Sequence, residues 1–472
     1  MKLVTFRGGV HPADGKHWAK ESPIQKVLPK GDLAFLLSQH IGAPAKAVVN
    51  VGDRVLKGQM IAEAGGFVSS PVFSSVSGTV KAFEKRYNAV GSQVDAIIVE
   101  NDNQYEEVEY PEVKPVSEMT RDEIIKKISA SGVVGMGGAG FPTHVKFSPK
   151  EPDKIDYIIA NCAECEPYIT ADYRRMLEMP EKLIAGLKIA VSLFENAKGI
   201  LAIENNKPDC IEKLQELVKD EEKIEVVPLK TKYPQGSERQ LIYATTGRAI
   251  NSSMLPADAG CIVDNVETLI AIDNAVNNGR PVTERVITVT GRAIAKPSNF
   301  LAPIGMNQTE LIEAAGGFKE QPEKIISGGP MMGFALFTTD IPLTKTSSCL
   351  LCRVHDPIAD LPESPCINCG RCVEACPSFL VPARLADYAN QHRSDIYQEW
   401  NGLECVECGC CSFVCPAKRH LKQSIASYKK TVIAENRAKA AKAAEEAKKI
   451  EEAKKAAEAA KAEDKKEGGD DK

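Results

Sequence analysis

The spacing of hydrophobic and polar residues changes character several times along the chain. Residues 1–30 show no periodicity and are predicted to be irregular. Between residues 30 and 105, apolar residues alternate with polar ones in short runs that Gly-Asp and Ser-Gly pairs interrupt. This period of two, broken by glycine turns, predicts a small β sandwich.

Residues 157–229 carry strand-like and helix-like patterns in turn. The strand-like runs cover residues 157–160, 199–203 and 224–229, and the helix-like runs cover residues 180–193 and 209–218. This βαβαβ order predicts a parallel sheet with helices on its faces. Ligands of such sheets bind beyond the carboxyl ends of the strands, where the polar segments 161–167 and 204–207 lie.

Other stretches carry shorter signals. Residues 106–120 form an acidic, proline-containing linker, and Thr120 with Glu123 is a capping box that opens a helix. Residues 285–345 predict a small α+β module. The tail at 431–472 is mostly Ala, Lys and Glu, so we expect an exposed helix without an apolar stripe and without a catalytic role.

Composition narrows the class of protein. The 472 residues suffice for about three or four domains, and 43% of them are hydrophobic, so sizeable cores can form. A net charge of −5 argues against a general binder of nucleic acid or anionic lipid. The N-terminus has no apolar signal core, and no window approaches the roughly 18 apolar residues of a membrane span. We therefore expect a soluble or peripheral protein in a reducing cytoplasm.

Two copies of one cysteine pattern organise the C-terminal part of the chain. Both copies have the spacing Cys-x₂-Cys-x₂-Cys-x₃-Cys-Pro, which binds paired 4Fe–4S clusters in bacterial ferredoxins. Three thiolates bind one cluster from a tight loop, and the fourth cysteine serves the other cluster. The predicted ligands of one cluster are Cys366, Cys369, Cys372 and Cys415. The predicted ligands of the other are Cys405, Cys408, Cys411 and Cys376.

Structural zinc is the alternative interpretation of these cysteines. Zinc sites use four ligands in two separated pairs, whereas here eight cysteines form two identical runs closed by Cys-Pro. The remaining cysteines carry weaker signals. Cys349 and Cys352 form a pair without a second pair nearby, so we interpret them as structural thiols. Cys410 is expected to point away from the cluster, and Cys210 and Cys261 to be buried apolar thiols.

A glycine-rich loop covers residues 135–146. Its glycines let backbone N–H groups approach a phosphate or a planar ring closely. Gly135, Gly137 and Gly140 also satisfy the G-x-G-x-x-G spacing. The predicted element before the loop is a helix and not a strand, so the context of the dinucleotide fingerprint is absent. From these residues alone, a purely structural glycine loop remains the alternative. Helix capping alone could likewise explain the polar turns at 233–239 and 264–268.

Four segments in the same order resemble motifs of the NADH-binding, FMN-carrying subunit of respiratory complex I. They are the glycine loop, Asn-Cys-Ala-Glu-Cys-Glu-Pro at 161–167, Tyr-Pro-Gln-Gly-Ser-Glu at 233–238 and Asn-Val-Glu-Thr at 265–268. The residues at 48–61 are similar to biotinyl and lipoyl carrier domains, but no lysine lies between Lys57 and Lys81 to carry a prosthetic group. With the double cysteine run, residues 1–425 resemble the RnfC family, whose members are components of the Rnf electron-transport complex.

The resemblance implies site residues. Those implied to line FMN are Gly135, Gly137, Gly138, Gly140 and Lys146, with Asn161 and Glu164 at the flavin ring. Those implied to hold ribityl and phosphate are Tyr233, Gly236, Asn265 and Thr268. Those implied to face the nicotinamide nucleotide are Phe141, Glu166 and Glu238, with Glu166 orienting the nicotinamide. No side chain is expected to act as a general acid or base. The chain departs from the motifs at Ala163, where the family has Asp, and at Ser237, where it has Glu.

The resemblance also implies a multidomain α/β and α+β architecture. The expected order is an N-terminal barrel-sandwich domain at 1–110, a Rossmann-like FMN and NADH domain at 111–280, a soluble-ligand-binding β-grasp domain at 281–345, a ferredoxin-like domain with two 4Fe–4S clusters at 346–430, and the helical tail at 431–472.

The implied function is electron transfer between NAD(H), FMN and the two 4Fe–4S clusters. A nicotinamide exchanges a hydride and a cluster exchanges single electrons, and a flavin can do both. The resemblance implies a peripheral subunit on the cytoplasmic face of a membrane-bound complex that exchanges electrons with ferredoxin and transports Na⁺ or H⁺. Ferredoxin would be met indirectly or through a partner subunit. The alternatives are a cobalamin reductase of a bacterial microcompartment and a relay or scaffold subunit without a nucleotide site.

Overall fold

The structure is a computed structural model, which describes residues 3–356 and 358–467, with side chains up to residue 450. Its contacts divide the chain into two units. The larger unit comprises the residues up to 363 together with 408–410, and the smaller comprises residues 364–407 and those from 411 onward.

The N-terminal part of the larger unit is a two-sheet β sandwich. The strands of this region are β1 (Ile24–Lys26), β2 (Leu33–Leu36), β3 (Lys46–Ala47), β4 (Arg54–Val55), β5 (Met60–Glu63), β6 (Val72–Phe73), β7 (Gly78–Tyr87) and β8 (Gln93–Asn101). One sheet has the order β2-β8-β7-β4 and the other the order β3-β5-β6. Leu33, Phe35, Ile97 and Val99 alternate along β2 and β8 and are fully buried between the sheets. The predicted sandwich is therefore confirmed.

A parallel sheet follows. Its region contains α1 (Arg121–Ala130), α2 (Thr143–Lys146), β9 (Tyr157–Cys162), α3 (Ala171–Glu178), α4 (Pro180–Ser192), β10 (Lys198–Glu204), α5 (Pro208–Leu217), β11 (Ile224–Leu229), α6 (Glu238–Thr246), β12 (Cys261–Asn265) and α7 (Val266–Asn278). The strand order is β11-β10-β9-β12, and every pairing is parallel. The predicted βαβαβ segment is confirmed. Helix α3 was not predicted from the sequence. The polar end of β12 was predicted to be a turn, because the pairing of β12 with β9 joins residues about a hundred positions apart.

Local signals fix the helices of this sheet. The Thr120 hydroxyl accepts from the Glu123 N–H, and the Glu123 carboxylate accepts from the Thr120 N–H at 2.7 Å, so the capping box is confirmed. Helices α4 and α7 approach each other at Gly186. A Cβ at this position would lie 1.9 Å from the Leu269 carbonyl oxygen, so only glycine allows the approach.

A six-stranded mixed sheet completes the larger unit. Its further elements are β13 (Glu284–Thr290), β14 (Ser298–Pro303), α8 (Gln308–Ala314), β15 (Lys324–Ser327), β16 (Phe334–Ala335) and β17 (Cys349–Arg353). The order is β1-β14-β13-β17-β15-β16. The small α+β module is thus present. It also takes up β1, from the stretch predicted to be irregular, and β17, which lies beyond residue 345. Both strands join the sheet through main-chain pairing with distant strands, which the pattern of their own residues does not predict.

The smaller unit is helical. It contains α9 (Arg371–Glu374), α10 (Pro382–Asn390), α11 (Ser394–Glu399), most of α12 (Cys410–Phe413) and α13 (Leu421–Glu467). Leu385, Tyr397, Ile425 and Val432 are fully or almost fully buried in its core. Helix α13 continues through the Ala/Lys/Glu-rich tail with exposed side chains from 437 to 450, which confirms the predicted exposed helix there. The last five residues of the predicted tail lie outside the described residues.

Among the residues that the structure describes, no helix is both long enough and apolar enough to cross a membrane.

Candidate functional site

The glycine loop joins α1 to α2 and is closed at its base. Val134 pairs with Pro142, and the Gly135 N–H donates to the Phe141 carbonyl at 2.8 Å. A Cβ on Gly137 would lie 2.8 Å from the Asn265 Cβ, so packing against the start of α7 requires glycine here. A Cβ on Gly138 would meet no protein atom within 4 Å. Gly137 therefore packs against the protein, whereas Gly138 faces open space.

The start of α7 supports the loop from below. The Asn265 side-chain oxygen accepts from the Glu267 N–H at 2.9 Å and caps the helix. Its amide nitrogen donates to Asp172 at 2.7 Å. The buried hydroxyl of Thr268 accepts from the Met136 N–H at 2.9 Å. Both side chains thus position the loop, and their contact with ribityl or phosphate stays a prediction.

Lys146 lies against two acids. Its ammonium donates to the Asp264 carboxylate at 2.9 Å and to the Val263 carbonyl at 2.8 Å. Burial raises the pKa of Asp264, and the charge of Lys146 opposes that shift. Burial also raises the pKa of Glu238, again opposed by Lys146. The second oxygen of Asp264 is buried without a hydrogen-bond partner among the described residues, so it can accept from a bound polar group.

The segment after β9 meets the Tyr-Pro-Gln-Gly-Ser-Glu motif directly. Asn161 donates from its side chain to the Gly236 carbonyl at 2.8 Å, and the Gly236 N–H donates to the Cys165 sulfur at 3.3 Å. A Cβ on Gly236 would lie 2.4 Å from the Ala163 carbonyl oxygen. The structure therefore brings together two of the motifs found in the sequence, and close packing explains the glycine.

The two glutamates of this segment have different partners. Glu164 is buried, forms an ion pair with Lys16 at 3.4 Å and accepts from the Asp172 N–H at 2.8 Å. Burial raises the pKa of Glu164, and Lys16 opposes the shift. Glu166 accepts from the N–H groups of Met331 and Met332, in the turn after β15. Its carboxylate thus binds the six-stranded sheet's turn, and its orientation of a nicotinamide stays a prediction.

Tyr233 is almost fully buried and hydrogen-bonded at every polar group. Its main chain pairs with Val10, and its hydroxyl donates to the Cys408 carbonyl at 2.7 Å, inside the larger unit. The neighbouring Cys410 thiol lies 3.8 Å from the Tyr233 carbonyl oxygen, to which it donates. The interpretation that Cys410 is not a cluster ligand fits this contact. Phe141 is half-buried at the closing end of the glycine loop.

Within the smaller unit, three thiols of one predicted ligand set lie near one another. Burial raises the pKa of Cys372, and the charges of Cys415 and Cys366 add to the shift. The fourth member, Cys369, is exposed. Cys415, from the other copy of the pattern, therefore lies close to Cys366 and Cys372, as the crossed arrangement predicts.

The thiols of the other set lie in or against the core of the smaller unit, except Cys408, which counts with the larger unit. The Leu380 N–H donates to the Cys376 sulfur and the Glu407 N–H to the Cys405 sulfur, both at 3.4 Å. Hydrogen bonds of this kind set the potential of a cluster.

The structure also bears on the zinc alternative. No three His, Cys, Asp or Glu side chains in the described parts of the chain surround one ion-sized position. Each thiolate of a cubane cluster binds a different iron, so its ligands stand farther apart than those of a single zinc ion. The spacing along the sequence, with two identical runs each closed by Cys-Pro, is the observation that favours clusters over zinc.

Family models match four separate parts of the chain between residues 4 and 418. A barrel-sandwich hybrid domain of RnfC matches residues 4–104, and the FMN-binding domain of Nuo51 matches residues 128–274. An SLBB domain matches residues 286–335, and a 4Fe–4S dicluster domain matches residues 365–418.

Curated relatives agree. The C component of the proton-translocating ferredoxin:NAD(+) oxidoreductase complex of Clostridium ljungdahlii is 44% identical over 92% of this chain and 95% of its own length. The chain belongs to the RnfC family. The C component of the Na(+)-translocating ferredoxin:NAD(+) oxidoreductase complex of Acetobacterium woodii is 42% identical over 93% of this chain and 99% of its own. A solved NAD+-reducing [NiFe]-hydrogenase chain is 20% identical, with a TM-score of 0.47 over 68% of this chain and 62% of its own.

Membership of the RnfC family confirms the predicted domain order and the FMN and 4Fe–4S domains. The boundaries and the individual contacts of the site residues stay predictions. The remaining cysteines lie as expected. Cys349 and Cys352 are buried in β17 in two separate apolar clusters, which fits their interpretation as structural thiols. Cys210 and Cys261 are fully buried.

Several residues of the site carry no sequence signal. Lys16 is one of five lysines in the N-terminal stretch that was predicted to be irregular, yet it is buried against Glu164. Arg175, on the missed helix α3, forms a buried two-bond ion pair with Glu267 at 2.6 and 2.8 Å. A pairing of residues 92 positions apart can be found only from the structure.

Lys345 fixes the base of the glycine loop. Its ammonium is buried and donates to the Gly132 carbonyl at 2.7 Å, the Pro71 carbonyl at 2.7 Å and the Ser70 hydroxyl at 3.0 Å. Burial lowers the pKa of Lys345 to about 7. This one side chain joins the β sandwich, the loop and the six-stranded sheet, and nothing in the local sequence marks it.

Proposed function

We propose that this chain is the NAD(H)-oxidising and NAD-reducing peripheral subunit of an Rnf-type ferredoxin:NAD oxidoreductase. It passes electrons between NAD(H), FMN and two 4Fe–4S clusters at the cytoplasmic face of a membrane, in contact with the other proteins of the complex. The observation that carries this proposal is the convergence of four separate sequence segments, one of which is the open glycine loop, in a chain that also holds a dicluster domain with two cysteine runs.

The residues around the loop fit FMN. The open side of Gly138 and the backbone N–H groups of the loop suit a planar ring and a phosphate. The unpartnered oxygen of Asp264 can accept from a ribityl hydroxyl, and Lys146 beside it supplies positive charge. When bound, FMN supplies the exchange of a hydride with NAD(H) and of single electrons with a cluster.

The protein's own part is to hold and orient. Asn265 and Thr268 fix the loop from the start of α7, and Asn161 with Gly236 fixes the opposite wall. Glu166 ties that wall to the six-stranded sheet, which limits its movement. The two sets of four cysteines predicted from the sequence hold the clusters, with N–H donors to their sulfurs adjusting the potentials.

A substitution at Gly138 tests the flavin site. In Gly138→Ala the new methyl group meets no protein atom, so folding is unchanged, but it occupies the space in which FMN would lie. Overpacking costs about 1–3 kcal/mol, so FMN binding should weaken about tenfold or more. The matched control is Gly66→Ala in the β sandwich, where a Cβ also meets no atom within 4 Å. Equal FMN affinity in the two variants would contradict the site.

Reduction by NADH separates this function from a relay or scaffold. The isolated chain loaded with FMN is mixed anaerobically with NADH while the flavin absorbance is followed. We expect the absorbance to bleach, and a chain that only wires clusters would leave it unchanged. Copurification with cobalamin enzymes and not with membranes would instead favour the reductase of a microcompartment.

A further inference from the structure

A group of charged side chains, all buried except the half-buried Asp172, surrounds the start of α3, next to the glycine loop. Four cations and four carboxyls take part. The cations are Lys16, Arg175, Lys207 and Arg285, and the carboxyls are Glu164, Asp172, Glu204 and Glu267.

Six of these eight groups form direct ion pairs. Lys16 pairs with Glu164 at 3.4 Å, Arg175 with Glu267 at 2.6 Å, and Lys207 with Glu204 at 3.1 Å. Arg285 and Asp172 are left. Arg285 donates from Nε to the Ser347 carbonyl at 2.9 Å, and its Nη1 has no partner among the described residues.

Asp172 has a neutral hydrogen-bond partner in place of a cation. Its carboxylate accepts from the Asn265 amide at 2.7 Å, and its own N–H donates to the Glu164 carboxylate at 2.8 Å. Burial and then the negative charge of Glu164 raise the pKa of Asp172 to about 7, with Glu267 adding to the shift. Arg285 and the bond from Asn265 oppose it.

The other titratable groups near Asp172 do not supply it with a paired charge. On its own helix, Arg175 is committed to Glu267. Cys162, at the end of β9, is fully buried, and burial raises the pKa of its thiol, with Asp172 adding to the shift. It therefore stays neutral. Of these four carboxyls, Asp172 is thus the one without a directly paired cation, and its pKa of about 7 lies near neutral pH.

One side chain connects this carboxyl to the glycine loop. Asn265 donates to Asp172, and its Cβ would lie 2.8 Å from a Cβ on Gly137. A negative charge on a group bound at the glycine loop would therefore be separated from the Asp172 carboxylate by the side chain of Asn265 alone. Asp172 could compensate that charge by taking up a proton.

We propose that Asp172 takes up one proton when the FMN at the glycine loop is reduced, and so compensates the charge that the flavin gains. This inference rests on the proposed function. Asp172 acts through Asn265 and does not touch the flavin, so it is a positioning residue.

With FMN bound, a hydride from the nicotinamide C4–H bond would bring two electrons and one proton to the site, and NAD⁺ would leave, so the site would gain one negative charge. The Asp172 carboxylate would take up one proton from water and compensate that charge. When the two electrons pass on to the clusters, the proton on Asp172 and the proton that arrived with the hydride would both return to water.

The test measures protons taken up per two electrons. The midpoint potential of FMN in the full chain is followed spectroelectrochemically from about pH 5 to about pH 9. Above about pH 7 the wild-type chain should take up one proton more than Asp172→Asn, in which the amide can still accept from Asn265. The matched control is Asp273→Asn, a buried aspartate that also accepts from an asparagine amide at 2.7 Å, and it should behave as the wild type.

Infrared difference spectra supply a second readout. Reduction should produce a carboxylic-acid band in the wild type and in Asp273→Asn but not in Asp172→Asn. Identical proton uptake and identical bands in all three proteins would overturn the inference. If Asp172→Asn does not fold, Glu164→Gln serves instead, since removal of the adjacent negative charge should shift the onset of the extra uptake to lower pH.

A flavin-free measurement separates the two claims. In the chain without FMN, the infrared band of a carboxylic acid should titrate near pH 7 and vanish in Asp172→Asn. A carboxylate that stays ionised over the whole range overturns the proton site, even if NADH reduces the flavin. A chain that binds no FMN overturns the proposed function and with it the coupling to reduction, whereas the flavin-free titration still decides whether Asp172 holds a proton.

Discussion

The cysteine runs and the glycine loop of this RnfC family member are predicted to bind their cofactors by different means. Six of the eight predicted cluster ligands lie within seven residues of one another in their own copy of the pattern, so short loops supply them. The predicted flavin site is assembled from segments at 135–146, 161–167, 233–238 and 264–268, which only the parallel sheet brings together.

The two regions also differ in which residues hold them in shape. In the cysteine runs the thiolates are predicted to be the cluster ligands themselves, and their spacing along the sequence identifies them. The glycine loop is shaped by residues that need not touch the cofactor, such as Thr268 at its centre and Lys345 at its base. Local substitutions should therefore act on the clusters directly, whereas the loop should respond to changes in distant parts of the chain.

Removal of one predicted cluster ligand should have the largest effect, and it tests whether the clusters depend on local residues alone. Cys369→Ala should lose a whole cluster, with iron falling from about eight to about four per chain, while FMN binding is retained. Iron analysis and flavin analysis of the anaerobically purified variant measure this. Cys261→Ala, at a buried thiol in β12, is the control and should keep all the iron. A full iron content in Cys369→Ala would refute the ligand assignment.

The next largest effect should come from a residue without any sequence signal. Arg175→Met leaves Glu267 buried and unpaired, which should lower the free energy of unfolding by about 3–5 kcal/mol. Chemical denaturation monitored by circular dichroism checks this. The neighbouring Arg174 makes an i,i+4 pair with Glu178 and a long hydrogen bond of 3.5 Å to the Lys20 carbonyl, so Arg174→Met should cost no more than about 1 kcal/mol. Equal losses would show that the buried pair has no special role.

The lowered pKa of Lys345 predicts the direction in which stability changes with pH. Its pKa is lowered to about 7 in the folded chain, so above that pH the unfolded chain binds more protons than the folded one. The stability of the wild type should therefore rise between about pH 7 and about pH 10, by at most about 1.4 kcal/mol per pH unit from this group. Lys345→Met should flatten that part of the curve. A wild-type profile that falls over this range at the same rate as the variant's would contradict the account.

The smallest effect concerns a feature that the sequence shows directly. Thr120→Ala removes the capping box of α1 and should cost about 1 kcal/mol. Thermal unfolding compares it with Thr120→Ser, which keeps the hydroxyl and should lie close to the wild type. A loss as large as that of Arg175→Met would mean that the helix start carries more of the loop's support than its hydrogen bonds indicate.

What the sequence predicts follows the range of the interactions. The cysteine spacing, the capping box at Thr120 and the strands β9, β10 and β11 were predictable because each depends on neighbouring residues. Strands β1 and β17 were not, since each is defined by pairing with a distant strand. The motifs marked Asn265 and Glu267, yet their partners Asp172 and Arg175 lie on a helix that the pattern did not show.

The central claim is tested most directly by adding NADH to the anaerobically purified chain after counting its iron and flavin. The account predicts about eight irons and one FMN per chain, bleaching of the flavin, and then the EPR signals of reduced clusters. Eight irons without a flavin, or a flavin that NADH leaves oxidised, would contradict it and remove the glycine loop as the place where nicotinamide electrons enter.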